Sequence, residues 1–404
     1  MTDIQNIHIK DYSYDLPDER IAKFPLKKRD DSKLLIYKQG KISETVFNRV
    51  SEEIPDNTLL IFNNTKVIRA RLLFYKETGA KIELFCLEPI APNKYESVFQ
   101  QTERCTWLCL IGNFKKWKEG DLQKTIQIEN QSVCLKASLK EKIGTGFSIE
   151  FSWDNPTVTF AEILETAGEL PIPPYLNRKT ETSDNETYQT VYSKIKGSVA
   201  APTAGLHFTK EVFDRLSEKN VDCEELTLHV GAGTFRPVKS ELIVDHEMHG
   251  ELFSVKKQII EKLLHRSGKI IAVGTTTVRT LESLYCIGKM LENNPNPASL
   301  NVTQWMPYES KSDISTEKAL QNILHYLEEN QSEQLVASTR IMIVPGYKFK
   351  IIDGMITNFH QPQSTLLLLV SAFLNGNWKL VYDYALSHDF RFLSYGDGSL
   401  LWRE

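Results

Sequence analysis

The sequence lacks any apolar run long enough to cross a membrane. Its longest unbroken stretch of aliphatic residues near the C-terminus covers only residues 366–370, whereas a membrane-spanning helix needs about 20 apolar residues. The N-terminus has no basic start followed by an apolar run, so no export signal is predicted. Both absences predict a cytoplasmic protein with no membrane partner.

The cysteines lack the spacing of a zinc site. None of the six belongs to a CxxC pair, and no second pair follows Cys105 and Cys109, which are four positions apart. Structural zinc sites typically use two closely spaced pairs of ligands. We therefore expect reduced, mostly buried thiols and no bound metal.

The chain also lacks an excess of basic residues. Its formal net charge is −4 and its pI is about 6.2, which does not predict a nucleic-acid-binding protein. Local groups of cations are nevertheless present: Lys23, Lys27, Lys28, Arg29 and Lys33; Lys66, Arg69 and Arg71; Lys115, Lys116 and Lys118. Solvated surface charge is the commoner explanation, and only a shared face of the folded protein would make them a phosphate track.

The length of 404 residues and the order of the patterns predict two domains. Short β-type runs fill residues 76–154, which we interpret as a small β-barrel domain inserted into the chain. Strand and helix patterns alternate in residues 1–75 and 155–404, which predicts a discontinuous, mixed α/β (α+β) main domain. Residues 287–337 read as an extra insertion, either a cap over a cleft or an ordinary surface excursion.

Several local patterns are specific enough to test. Residues 208–219 predict a helix with Thr209 as its N-cap, and residues 317–330 predict a helix with one apolar face. Residues 340–346 predict a strand, and residues 364–374 a largely buried helix.

The first segment with candidate functional residues is 197–209, GSVAAPTAGLHFT. Small residues such as Gly205 form a close-packed loop that admits a ligand near backbone N–H groups. His207 lies beside a helix start that favours an anion. A core or helix-capping histidine explains His207 equally well.

The second segment covers residues 228–251. Its glycine loop, HVGAGTFRPV, is not a dinucleotide fingerprint, because Arg236 and Pro237 follow it instead of a helix. Gly231, Gly233 and the adjoining Thr234 either let the backbone approach a ligand or form a bulge.

Downstream in this segment, DHEMHGE holds two histidines and a carboxylate. His246, His249 and Glu251 have the chemistry for a metal site or for acid–base catalysis. Their spacing is not the HExxH of zinc proteases, so catalysis or substrate binding is favoured.

The third segment, VGTTTVRTLES at 273–283, predicts a strand, a turn and a helix start. Its free N–H groups, with Gly274, Thr275 and Thr276, form a seat for an anion. Arg279 projects from the first helical turn, with Glu282 on the same face. A structural Arg–Glu pair is the alternative explanation.

Taken together, ordered blocks over nearly the whole chain resemble the S-adenosylmethionine:tRNA ribosyltransferase-isomerases of queuosine biosynthesis. The blocks are YDLPDERIAKFPLKKRDDSKLL, NNTKVIRARL, GELPIPPYLNR, YQTVYSKIKGSVAAPTAGLHFT, HVGAGTFRPV, HEMHGE, VGTTTVRTLES, PGYKFKIIDGMITNFHQPQSTLLLLVSAF and FRFLSYGDGSLL. Agreement in order over residues 14–401 is far more specific than any single motif.

The resemblance implies a tRNA-modifying transferase and isomerase. Such enzymes attach the ribosyl part of S-adenosylmethionine to the 7-aminomethyl-7-deazaguanine base of tRNA, giving epoxyqueuosine and releasing adenine and methionine. S-adenosylmethionine is then a substrate, and no cofactor is expected. The family fold is an α/β domain with an inserted β-barrel. The expected partners are S-adenosylmethionine and tRNA carrying the precursor base, and the expected state is a monomer or weak oligomer.

The same resemblance implies roles for the residues singled out above. A base must remove a proton beside the sulfonium, and an acid helps adenine to leave. The candidates for these two steps are His207, His229, His246, His249 and Glu251. Arg279 with the turn at 274–277 is expected to hold the methionine carboxylate. His360 and Asp397 lie in family-like motifs and are expected to contact substrate.

The chain departs from the family pattern at two carboxylates. Asn64 and Arg340 stand where the family usually has aspartate. One alternative is therefore a paralogue that binds tRNA or an adenosyl ligand without turnover, or that has an altered substrate. A metal-dependent hydrolase using His246, His249 and Glu251 is a more remote alternative.

Overall fold

Strands and helices alternate along most of the chain, which confirms the mixed α/β class. The computed structural model describes residues 4–117, 119–231, 238, 240–309 and 313–403. The strands in these residues are β1 Lys33–Lys38, β2 Lys41–Val46, β3 Leu59–Asn63, β4 Thr65–Val67, β5 Arg71–Tyr75, β6 Lys81–Ala91, β7 Arg104–Gly112, β8 Leu122–Ile128, β9 Gln131–Ile143, β10 Gly146–Trp153, β11 Gly168–Glu169, β12 Ile195–Ser198, β13 Asp222–Leu228, β14 Glu251–Lys256, β15 Ile270–Val273, β16 Asn301–Val302, β17 Gln334–Thr339, β18 Gly354–Asn358 and β19 Gly398–Trp402. The α-helices are α1 Val50–Glu53, α2 Tyr95–Phe99, α3 Phe160–Ala167, α4 Asp184–Thr187, α5 Lys210–Glu218, α6 Lys257–Leu264, α7 Thr275–Asn293, α8 Met306–Glu309, α9 Thr316–Glu329, α10 Thr365–Phe373 and α11 Trp378–Ser387.

A large sheet carries the main core. Its strands follow the order β16-β17-β14-β13-β3-β15-β18-β19-β1-β2. At its centre β13, β3, β15 and β18 run parallel. β3, β15 and β18 are buried along their whole length, as parallel strands covered on both faces should be. The carboxyl ends of the four parallel strands therefore share one edge of the sheet, where ligands bind in open α/β sheets.

A second, antiparallel sheet takes in the strands between Arg71 and Glu169. Their order is β11-β5-β6-β7-β10-β9-β8, and alternate side chains of β7 and β10 form a separate core around Trp107. The sheet is curled, as the contact between β5 and β8 shows, since these two strands are not hydrogen-bonded neighbours. Helix α3 packs against both strands. The two end strands of this sheet, β11 and β8, do not pair with each other in the described residues. The structure therefore confirms a curled sheet but not a closed barrel.

Helix α9 packs closely on α7 and joins residues 316–329 to the main core. A Cβ at Gly288 would lie 2.2 Å from the carbonyl oxygen of Ala319, so the contact between the helices depends on this glycine. Ala319, Ile323 and Leu327 are buried, as the helical pattern predicts, whereas Leu324 is only partly buried.

The local predictions are confirmed at three helices, α5, α9 and α10, and wrong at one strand. Thr209 caps α5, its hydroxyl accepting from the N–H of Val212, and α10 is almost fully buried. The predicted strand at 340–346 is irregular backbone, because the N–H groups of Ile341 and Val344 donate to side-chain oxygens instead of a neighbouring strand. The strand that precedes this segment in the sequence, β17, ends at Thr339.

Two expectations from composition can be compared with the described residues. The six cysteines are free thiols, and Cys86, Cys105, Cys109 and Cys286 are buried, which confirms the prediction of mostly buried thiols. No helix of the described residues is both long enough and apolar enough to cross a membrane.

Candidate active site

A cavity of about 790 Å³ opens at the carboxyl edge of the four parallel strands. Gly231, Gly274 and Phe359 follow β13, β15 and β18, and all three line it. The volume lies within the range of small-molecule sites, roughly 300–1,000 Å³. The cavity brings together nine predicted site residues: Gly231, His246, His249, Glu251, Gly274, Thr275, Thr276, Arg279 and His360.

An ion pair between Arg279 and Glu251 forms the floor of this cavity. Nη1 of Arg279 donates to Oε2 of Glu251, and both side chains are almost completely buried. Oε1 of Glu251 accepts from the N–H of Gly231 at 3.4 Å, and Nε of Arg279 donates to the carbonyl of Ile341 at 3.2 Å. Because the pair is buried and hydrogen-bonded, removing either partner would leave a costly uncompensated charge.

The start of α7 presents unused hydrogen-bond donors to the cavity. Gly274 has φ of +87°, a value that favours glycine, and places the first turn of α7 at the cavity wall. Oγ1 of Thr276 and Nη2 of Arg279 are buried and make no hydrogen bond to any described residue. Buried donors normally have partners, and a helix N-terminus attracts anions. This end of the cavity is therefore suited to a carboxylate.

The DHEMHGE segment forms another wall of the cavity. His246 is half-buried and His249 is exposed. Gln304 holds the segment at two points, donating to the carbonyl of His246 at 2.6 Å and accepting from the N–H of Met248 at 2.9 Å. Burial lowers the pKa of His246, and the neighbouring His249 lowers it further. His246 is therefore neutral at pH 7 and able to accept a proton.

His360 lines the cavity and forms no ion pair with any described residue. It is buried, and its Nε2 lies 2.9 Å from Oγ1 of Thr357. Its backbone is fixed by the hydroxyls of Tyr14 and Tyr382. Burial lowers the pKa of His360 to about 4, so the ring is neutral at pH 7 and offers polar atoms without charge.

His207 and Gly205 lie outside the cavity. Nδ1 of His207 lies 2.8 Å from the hydroxyl of Ser32, and its ring stacks on Phe47. Burial, with a smaller contribution from Arg391, lowers the pKa of His207 to about 4. A Cβ at Gly205 would lie 1.8 Å from the hydroxyl of Tyr192, so this glycine serves the packing of its loop. The structure places both in the supporting core.

His229 is also outside the cavity, although the next two residues line it. Its ring stacks on Tyr95 with centroids 4.1 Å apart, and burial lowers its pKa to about 4. A Cβ at Gly197 would lie 2.5 Å from Nδ1 of His229. His229 therefore serves packing: it follows β13 and contacts Tyr95, which packs against the core of the antiparallel sheet.

Glu282 and Asp397 are engaged by backbone groups away from the cavity. The carboxylate of Glu282 accepts from the N–H groups of residues 350–352 and from the hydroxyl of Tyr347. The carboxylate of Asp397 accepts from the N–H groups of Lys33 and Arg391. Gly233 and Thr234 lie outside the described residues.

Two tyrosines that no sequence pattern singled out also line the cavity. Tyr175 and Tyr188 both reach it, and the hydroxyl of Tyr175 lies 2.6 Å from that of Ser394, which also lines it. Both tyrosines occur in family-like blocks, but nothing in their spacing distinguished them from core residues. Thr145 also lines the cavity, at the tip of the hairpin between β9 and β10. The antiparallel sheet therefore contributes to the site.

The two departures from the family pattern occupy different places. Asn64 bonds to Glu225 and Thr227 of β13 and does not line the cavity. Arg340 is exposed and forms an ion pair with Glu247, which does line it. Only Arg340 is close enough to influence the DHEMHGE segment.

Comparison with known proteins relates the chain to one group of enzymes. Residues 9–401 match the family described as queuosine biosynthesis protein. An S-adenosylmethionine:tRNA ribosyltransferase-isomerase of Trichlorobacter lovleyi is 38% identical over 400 residues, covering 97% of this chain and 99% of that protein. The enzyme of the same name from Halothermothrix orenii is 36% identical over 401 residues, again covering 97% and 99%.

A solved structure is also similar. The crystal structure of an S-adenosylmethionine tRNA ribosyltransferase from Thermotoga maritima is 27% identical, covering 96% of this chain and 99% of that chain with a TM-score of 0.46.

Proposed function

Because this chain belongs to the queuosine biosynthesis protein family, we propose that its cavity is the active site of an S-adenosylmethionine:tRNA ribosyltransferase-isomerase. The enzyme transfers and isomerises the ribosyl part of S-adenosylmethionine onto the 7-aminomethyl-7-deazaguanine base of tRNA. Adenine and methionine leave, and the tRNA carries epoxyqueuosine. The observation that carries this proposal is the convergence of the 228–251 and 273–283 segments on one cavity.

We propose that the methionine part of S-adenosylmethionine binds at the start of α7. Nη2 of Arg279 and Oγ1 of Thr276 are buried donors without partners among the described residues. The carboxylate of methionine would satisfy both, next to the N–H groups of the first helical turn. Because Glu251 already compensates one side of Arg279, the guanidinium stays oriented towards the cavity.

The acid and base are proposed among the cavity residues His246, His249 and Glu251. A proton must leave the sugar carbon beside the sulfonium, so the base must be unprotonated at pH 7. Because the pKa of His246 is lowered, its imidazole is in the neutral form that a base requires. His249, three residues along the same segment, also lines the cavity and is the candidate acid for adenine departure. His207 and His229, the other two candidates for acid and base, do not line the cavity. Gly205, Glu282 and Asp397, which were expected to contact substrate, do not line it either, so we propose no role in this cavity for these five residues.

The reaction proposed here uses S-adenosylmethionine as a substrate and needs no further cofactor. Among the described residues, no three His, Cys, Asp or Glu side chains meet as a metal-binding group. Glu251, the carboxylate of the hydrolase alternative, is committed to Arg279. The similarity to enzymes over 97% of the chain also makes a non-catalytic paralogue the less favoured alternative.

We also propose the finer organisation of the molecule. In it, residues 76–154 form an inserted barrel-like domain, and residues 1–75 with 155–404 form the catalytic domain that contains the 287–337 insertion. The curled antiparallel sheet and its separate core support this division. The enzyme is proposed to work in the cytoplasm as a monomer or weak oligomer.

Adenine release from S-adenosylmethionine tests the proposed chemistry. We expect release in the presence of tRNA bearing the aminomethyl-deazaguanine base and none with unmodified tRNA. His249→Ala should abolish release while the melting temperature stays unchanged, because the side chain is exposed. Normal turnover by this variant would remove the DHEMHGE segment from the chemistry. Absence of release by the unchanged protein, with both ligands bound, would support the paralogue.

A further inference from the structure

We propose that cations on both sides of helix α4 form one track for the phosphates of tRNA next to one wall of the cavity. The track consists of Lys27, Lys28 and Arg29 on one side, and Lys66, Arg69 and Lys196 on the other. The choice of tRNA as partner rests on the proposed function. The surface itself follows from contacts that bring two separate stretches of sequence together.

Gln189, two residues after the end of α4, joins the two halves of the track. Its carbonyl accepts from Nη1 of Arg29 at 3.0 Å. Its side-chain amide bonds twice to the backbone of Val67, at 3.0 and 2.9 Å. Arg29 and Val67, the neighbour of Lys66, are therefore bonded to the same buried glutamine. These contacts bring two of the cation groups in the sequence close together.

On the β4 side of the track, cations lie next to one another. Lys66 and Lys196 are direct partners across the parallel pair β4–β12. Like charges at such positions repel each other. Glu165 offsets part of this charge, since its carboxylate lies 3.3 Å from Nζ of Lys196 and its carbonyl accepts from Arg69. Lys66 has no ion pair with any described residue, so it is free to meet a phosphate.

On the other side of α4, Arg29 and Arg391 border one small depression together with Thr187. Lys27 and Lys28 are exposed beside it and form no ion pair within the described part of the chain. Of the carboxylates beside these cations, Asp397 forms an ion pair with Arg391 at 3.4 Å, and Asp30 accepts from the hydroxyl of Thr209 at 3.1 Å. Arg29 forms no ion pair with any described residue, so Arg29, Lys27 and Lys28 are the uncompensated cations on this side of α4.

The track runs directly behind one wall of the cavity. Tyr188 lines the cavity and is the residue before Gln189. Tyr188 packs in one core cluster with Val67 and Ala201, and Ala201 also lines the cavity. A base that enters the cavity would thus leave its flanking phosphates next to the cations, as enzymes that act on an extruded base require.

An exposed aromatic ring supports RNA as the partner. Phe24 is 49% exposed, and the guanidinium of Arg178 lies 4.2 Å from its ring centroid. Arg178 is held by two hydrogen bonds to Asp184 at the start of α4, and its Nε donates to the carbonyl of Lys23. Exposed aromatic rings and guanidinium planes stack on unpaired bases. A loop of tRNA offers such bases.

The test compares two triple variants in tRNA binding over a range of salt concentrations. Lys27→Ala/Lys28→Ala/Lys66→Ala removes three unpaired cations from the track. Lys41→Ala/Lys256→Ala/Lys348→Ala is the matched control. Its three lysines are exposed, form no ion pair within the described residues and do not line the cavity. Lys41 and Lys256 lie at the ends of β2 and β14, and Lys348 lies in the segment before β18. S-adenosylmethionine binding by calorimetry shows that each variant keeps its cavity.

The track variant should bind tRNA at least about tenfold more weakly, and its salt slope should fall by roughly 2–3. The control should bind like the unchanged protein. Phe24→Ala should weaken binding without changing the slope, because stacking releases no counterions. An unchanged affinity and slope in the track variant, or an equal loss in the control, would overturn the track. Because binding is measured without turnover, failure of the proposed chemistry gives a separate result.

Discussion

At the scale of single residues, variants of Thr276 and Thr277 distinguish an effect on ligand binding from an effect on stability. Oγ1 of Thr276 has no partner among the described residues and faces the cavity, whereas Oγ1 of Thr277 donates to the carbonyl of Val273 at 2.7 Å. We expect Thr276→Val to weaken S-adenosylmethionine binding roughly 2–10-fold, because one hydrogen bond is lost. Its melting temperature should not fall, since an unsatisfied buried group disappears.

The matched variant is Thr277→Val. It should lower the free energy of unfolding by about 1 kcal/mol and leave S-adenosylmethionine binding unchanged. Calorimetry and thermal melts of both variants measure the two effects. Equal binding by Thr276→Val and the unchanged protein would place the methionine carboxylate elsewhere.

Buried histidines make stability depend on pH. The pKa of His207 and His360 is about 4 in the folded protein, against about 6.5 in the unfolded chain. Between these values the unfolded chain binds more protons, so stability rises with pH and is lost as pH falls. Between pH 8 and pH 5 the loss is on the order of 2 kcal/mol for each histidine.

Denaturant titrations at pH 5 and pH 8 measure this loss. We expect the difference between the two pH values to shrink in His207→Gln and in His360→Gln. The exposed His265, changed in the same way, is the control. A difference as large as that of the unchanged protein in both variants would contradict the burial of these rings.

The sequence predicted some residues of the cavity wall and missed some contacts for a physical reason. Gly274, Thr276 and Arg279 line the cavity and could be singled out from sequence, because turn and helix-start patterns are local. The ion-pair partner of Arg279 could not be predicted from the sequence. Glu282 has the helical spacing for it, yet the ion pair forms with Glu251, 28 residues away. Glu282 binds backbone groups of residues 350–352 instead.

At the scale of elements, the segment after α7 supports the DHEMHGE segment. No described residue of 287–337 lines the cavity, but Gln304 bridges His246 and Met248. Gln304→Ala should reduce kcat on the order of 10–100-fold, since small displacements of catalytic groups are costly. S-adenosylmethionine binding at α7 should change little.

Asn322→Ala provides the control for that variant. Asn322 lies in the same segment and bonds to the carbonyl of Gly288 and to Glu292, far from DHEMHGE in sequence. It should lower the melting temperature and leave kcat unchanged. If Gln304→Ala lowered only the melting temperature as well, the bridge would have no role in positioning His246.

Elements with strong periodicity were predictable, and those stabilised by distant side chains were not. The pattern and the Thr209 cap predicted α5, because both signals lie within the helix. The apolar run at 340–346 resembles a strand, yet its N–H groups find Thr339 and Tyr308 as acceptors. Tyr308 is 36 residues away from Val344, and no local pattern announces that contact.

At the scale of the whole molecule, the site depends on both sheets. The alternation of strands and helices predicted the mixed α/β core. The β-rich run predicted an inserted β-barrel, where the structure shows a curled antiparallel sheet. The meeting of Thr145, from the tip of a hairpin, with the edge of the large sheet was beyond prediction. Such contacts depend on how two cores pack, which no window of sequence contains.

The most direct test of the account follows two labels of S-adenosylmethionine, one in the ribose and one in the methyl group. Each is incubated with the protein and tRNA bearing the aminomethyl-deazaguanine base, and the tRNA is digested to nucleosides. The account predicts ribose label in a new nucleoside and no methyl label there. Methyl label in the tRNA, or no ribose label although adenine is released, would contradict it.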